Sequence, residues 1–166
     1  MKVLVAVDEQ EYANAITEFV VNHGWPLGTE FTIFAVVEPL KIGNAMAVLP
    51  GPFLDGIVED HVESAKVLVK ATAAAIRNRC SESIVNEVIV EGFAAEEIIK
   101  NASDQKANLI LVGSHGRSGF KRMILGSVSL AVVSHATCSV IVIRLPHSAQ
   151  EELTASQKES DMMLQS

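Results

Sequence analysis

The sequence predicts an α/β domain built on a parallel sheet with helices on both faces. Three observations carry this. Short apolar runs alternate with stretches of helical period along the chain, the order that builds βαβ units. Nearly every strand-like run is apolar throughout rather than alternating, as strands covered on both faces require. Aromatic residues make up only 5% of a chain that is 49% hydrophobic, so Val, Ile, Leu and Ala must fill the core.

Lys2–Val7 reads as the first strand, ended by Asp8. Tyr12, Ile16, Phe19, Val20 and His23 then recur at helical spacing, and Gly24 with Pro26 closes that helix. Thr32–Val37 is a second strand, stopped at Glu38-Pro39. Leu40–Gly56 has no clean period and reads as a long loop, either a lid or a surface insertion. A long helix is expected from Ile57, because Val58, Val62, Ala65, Val69, Ala73 and Ile76 form one apolar stripe. Ile84–Val90, Asn108–Val112 and Ser139–Arg144 complete five strands. Helices over Ala94–Ser103 and Val128–His135 separate them. Right-handed crossovers restrict such a chain to doubly wound orders, whose ligands bind beyond the carboxyl ends of the strands. Asp8 and Gly113 both fall at such ends.

The chain of 166 residues fits one folded domain over 1–146. The remainder, 147–166, is rich in Ser, Gln and Glu and reads as a mobile tail. The net charge of −7 argues against a nucleic-acid surface. No apolar run is long enough to span a membrane and no signal segment precedes the first strand, so a cytoplasmic protein is expected. Cys80 and Cys138 form no CxxC pair and read as reduced thiols. The five histidines lack ligand spacing, so no metal centre is expected.

The chemistry concentrates in Gly113–Ser129. Gly113-Ser114-His115-Gly116 leaves the fourth strand, and Gly126-Ser127-Val128-Ser129 opens the last helix. Glycines allow backbone N–H groups to face an anion, and a helix N-terminus favours phosphate. Ser127 and Ser129 add hydroxyls. Arg117, Lys121 and Arg122 either supply positive charge to an anion or form a solvated face. The segment is neither a Walker A loop nor GxGxxG. Read alone it is a phosphate loop or a tight turn that only packs. Asp8 either faces a ligand or caps the first helix. No Ser-His-Asp or Cys-His set surrounds His115, so no catalytic residue is assigned.

Gly113-x2-Gly116-x9-Gly126-Ser127 resembles the nucleotide-binding signature of the universal stress protein family. The opening Val3-Leu4-Val5-Ala6-Val7-Asp8 and the closing Cys138-Ser139-Val140-Ile141-Val142-Ile143 are similar to that family as well. The resemblance spans Met1–Arg144. It implies a five-stranded parallel sheet in the order 3-2-1-4-5, Rossmann-like and akin to the adenine nucleotide alpha hydrolases. It also implies a homodimer through the last strand, at Val140 and Val142. Members with this glycine pattern bind ATP. On that resemblance Asp8 holds the ribose, Ala6 lines the adenine end, and the backbone of Val36 meets adenine. Val112 and Gly113 then lie under the nucleotide, and Gly116, Gly126, Ser127, Val128 and Ser129 hold its phosphates, with Mg2+ riding on them. The implied function is an ATP-binding regulatory protein of the stress response, with slow hydrolysis at most. The alternative is a module of the same fold that acts through protein contacts alone. One departure stands out: the family often has Gly-Ser after the first aspartate, where this chain has Glu9-Gln10. Glu9 either adds negative charge beside a polyphosphate or faces solvent.

Overall fold

The computed structural model describes residues 1–39, 51–115 and 125–145, with side chains described from 59 onward in the second helix. Five strands and four helices alternate: β1 (Lys2–Ala6), α1 (Gln10–Val21), β2 (Glu30–Val37), α2 (Gly51–Arg79), β3 (Ile84–Glu91), α3 (Ala94–Asp104), β4 (Leu109–Gly113), α4 (Ser127–His135) and β5 (Ser139–Ile143). The strands form one parallel sheet in the order β3-β2-β1-β4-β5, the order that the family resemblance implies. Leu4 sits opposite Thr32 on one side and Ile110 on the other, which fixes the register of the three central strands.

Alternation along β1 divides its side chains between two cores. Val3 and Val5 pack with Ile16 and Val20 of α1 and Val69, Ala73 and Ile76 of α2. Leu4 and Ala6 face the other way, onto Ile98 and Ala102 of α3 and Val132 of α4. Both faces are therefore covered, and the continuous apolar runs follow from that. Each fully buried Leu, Ile or Phe here contributes roughly 1.5–3 kcal/mol relative to exposure.

Local chemistry sets the element ends. At the close of α1, the Trp25 indole N–H donates to the Val20 carbonyl at 2.7 Å, and the Trp25 ring meets Phe31 edge-on. Gly28, at φ +71°, turns the chain into β2 in a conformation that glycine adopts without strain. Glu96 and Glu97 occupy the first turn of α3, where acidic side chains suit the helix dipole. Cys80 and Cys138 are both free thiols, and burial pushes each above its ordinary pKa.

Two expectations need correction. The loop predicted over Leu40–Gly56 does not hold for its last part, because Gly51–Gly56 belong to α2; residues 40–50 lie outside the described residues. Pro52 falls in the first turn, where a missing N–H breaks no helical bond, so the Gly-Pro signal marks the start of the helix and not a loop. The α1 N-cap falls on Glu9, whose side chain makes no cap hydrogen bond, so Asp8 is not the cap. The predicted tail over 147–166 lies outside the described residues.

Candidate functional site

A cavity of about 450 Å³ opens where β1, β2 and β4 end, above the point at which the chain winds off in opposite directions from β1 and β4. Doubly wound sheets place their ligand crevices at this position. Ala6, Val36 and Val112 form an apolar floor, and all three face the α3/α4 side of the sheet. Asp8 follows directly on β1 and lines the same cavity, as do Gly113, Gly126, Val128 and Ser129. Ser127 opens α4 and is exposed at the surface. Gly116 lies outside the described residues, as do Arg117, Lys121 and Arg122.

The cavity is also lined by residues of three helices that the sequence does not assign to a site. His61, Ala65 and Leu68 enter from one face of α2, Tyr12 from α1, and Ala94 and Ile98 from α3. Of the three on α2, only Ala65 belongs to the apolar stripe that periodicity marks; His61 and Leu68 stand outside it, and that the upper end of the helix stands over the end of the sheet is not legible in the pattern. Three acidic residues, Asp8, Glu9 and Glu38, are among the lining, and Glu38 Oε1 accepts from the Ala94 N–H at 3.1 Å. Glu9 is thus among the residues that border the cavity.

The two described glycines of the signature are needed for chain packing. A Cβ on Gly113 would stand 2.7 Å from Cδ1 and 2.9 Å from Cγ of Tyr12, so the bare backbone lets α1 lie close over β4. A Cβ on Gly126 would meet the Ser114 carbonyl oxygen at 3.2 Å and the His115 Cα at 3.3 Å. There α4 starts hard against the end of β4. The Gly126 N–H donates to the Ser114 carbonyl at 2.7 Å, and the Ser129 hydroxyl donates to the same carbonyl at 2.9 Å. The Ser129 hydroxyl, buried, is thus engaged in holding helix to strand. The first N–H groups of α4 have no partner inside the helix and carry its positive dipole end, beside the cavity.

Such a set of parts fits an adenine nucleotide: an apolar floor for a base, a carboxylate for ribose hydroxyls and a helix N-terminus for phosphate. Among the described residues no cluster of three or more His, Cys, Asp or Glu stands ready to hold a metal.

An open, doubly wound α/β domain with a ligand cleft at its switch point is the class that fold and site define. The chain belongs to the universal stress protein family, whose model matches residues 1–144. It is 30% identical over 148 residues to universal stress protein YxiE of Bacillus subtilis, covering 86% of this chain and 98% of that protein. The solved structure of hypothetical protein MJ0577 matches with a TM-score of 0.74 at 24% identity, over 88% of this chain and 96% of that chain. Among further solved structures, a universal stress protein in complex with cAMP matches with a TM-score of 0.59 at 16% identity, over 88% of this chain and 98% of that one. A universal stress protein of Archaeoglobus fulgidus in complex with dAMP matches with a TM-score of 0.55 at 19% identity, over 86% and 97%.

Proposed function

We propose that this chain is an ATP-binding regulatory protein of the stress response. It acts in the cytoplasm as a homodimer, and its nucleotide state biases contacts with a protein partner. The observation that carries this reading is the cavity itself. Its floor of Ala6, Val36 and Val112, the carboxylate of Asp8 and the start of α4 surround one space of nucleotide size. The complexes of related proteins with cAMP and dAMP support the choice of an adenine nucleotide.

In this reading Ala6 and Val36 flank the adenine, Asp8 accepts hydrogen bonds from the ribose hydroxyls, and Val112 and Gly113 lie beneath. The phosphates meet the N–H groups of Ser127, Val128 and Ser129, with Gly116 and Gly126 beside them; the Gly126 N–H itself is engaged by the Ser114 carbonyl. Mg2+ arrives on the phosphates. Hydrolysis is slow at most, because no general base is assigned. Self-association uses β5, an edge strand whose Val140 and Val142 are half-buried in the single chain.

The lining position of Glu9 favours a second reading, in which the cleft rejects polyphosphates and the domain works through protein contacts alone. Titration calorimetry of nucleotide-free protein with ATP and Mg2+ separates the two. Binding in the micromolar range or tighter supports the first; no binding at millimolar ATP makes the loop structural and the second the leading reading.

A further inference from the structure

Ser114 joins four parts of the molecule at one buried point. Its N–H donates to the Ile143 carbonyl of β5 at 2.8 Å. Its carbonyl accepts from the Gly126 N–H at 2.7 Å and from the Ser129 hydroxyl at 2.9 Å, both at the start of α4. Its hydroxyl lies 3.3 Å from the Tyr12 hydroxyl of α1 and 3.2 Å from Nδ1 of His115. Ser114 is only 2% exposed and Tyr12 8%, so water competes little for these bonds. The Tyr12 ring reaches this point because Gly113 has no side chain to hold it off.

We infer that Tyr12 and Ser114 are positioning residues for the phosphate end of the cleft. Neither is assigned to the ligand. The Tyr12 hydroxyl fixes the Ser114 side chain, and with it the peptide whose carbonyl clamps Gly126 and Ser129. That clamp sets where the N-terminal amides of α4 point. Amides held in place before a ligand arrives cost no ordering on binding, so the pair acts on phosphate affinity and leaves the base and ribose contacts alone. This inference rests on the nucleotide reading for its ligand, and on the hydrogen-bond network alone for its mechanism.

The test uses Tyr12→Phe, which keeps the ring on Gly113 and removes one hydroxyl, with Ser114→Ala and the double variant. First, amide hydrogen exchange is followed at Gly126 without any nucleotide. Faster exchange at Gly126 in both variants is expected; an unchanged rate overturns the clamp whether or not the protein binds nucleotide. Second, ATP and adenosine affinities are measured by calorimetry. Each single variant is expected to weaken ATP about three- to tenfold, the scale of one hydrogen bond, with adenosine within twofold of the parent. The double variant should lose no more than the larger single loss, because both changes break one chain of contacts. Equal weakening of adenosine and ATP, or fully additive losses, overturns the positioning role. Failure of the parent protein to bind either ligand overturns the nucleotide reading, while the exchange result still decides the clamp.

Discussion

Gly113→Ala sets two effects of known size against each other. Alanine restricts the unfolded chain, which stabilises by about 0.4–1 kcal/mol where the backbone conformation suits it, and Gly113 is not among the glycines at positive φ. Against this, the new Cβ would stand 2.7 Å from Cδ1, 2.9 Å from Cγ and 3.2 Å from Cβ of Tyr12. Those atoms lie near the root of the side chain, so rotating the ring does not clear them and α1 must shift. Overpacking of this kind costs about 1–3 kcal/mol. The clash wins, and a net loss of about 0.5–2.5 kcal/mol is expected. Urea unfolding measures it, as a fall in the midpoint at unchanged slope. In a Tyr12→Ala background the two closest contacts are gone, and of the three nearest atoms the Tyr12 Cβ at 3.2 Å remains. There the same substitution should cost close to nothing, a coupling of about 1–3 kcal/mol in the double-mutant cycle. The same cost in both backgrounds would refute the packing role assigned to Gly113.

Asp8→Ala should weaken ATP and adenosine about tenfold or more while leaving inorganic triphosphate unaffected, by calorimetry; equal losses for all three contradict a ribose contact. Removing Mg2+ with EDTA should weaken ATP about tenfold, because Asp8, Glu9 and Glu38 line the cavity and repel an uncompensated polyphosphate, and an unchanged affinity would exclude that repulsion. If the chain pairs through β5 as proposed, it should sediment as a dimer and Val142→Asp as a monomer, since a charge on the β5 edge opposes pairing; a dimer that persists in the variant moves the interface elsewhere. Ile110→Ala, at a site with no exposure in the middle of β4, should cost about 2–5 kcal/mol in urea unfolding, and a loss under 1 kcal/mol would mean the core collapses around the gap.

The fold was legible because each buried strand repeats one simple signal. Val3-Leu4-Val5-Ala6 and Leu109-Ile110-Leu111-Val112 are apolar on consecutive residues, which only a strand covered on both faces tolerates in a chain of this kind. The strand order 3-2-1-4-5 came from family resemblance, since periodicity does not say which strands adjoin. The start of α2 is hidden at Gly51-Pro52, where residues that break a helix in its interior instead open one.

The site was legible where it depends on the ends of strands and hidden where it depends on what packs across them. Ala6, Asp8, Val36 and Val112 converge because β1, β2 and β4 run parallel in register, so that residues at similar depth meet at the same rim. His61 and Tyr12 gave no such signal: their places follow from how α2 and α1 lie on the sheet, which no short-range pattern encodes. Glycine spacing was specific, yet its physical meaning changed once the contacts were known. Gly113 and Gly126 keep side chains out of the way of Tyr12 and of the Ser114–His115 backbone. The end of the cleft at Gly113 and Gly126 is therefore shaped by the closeness of α1, β4 and α4. A signature usually read as room for a ligand serves here, at these two positions, as room for the protein's own chain.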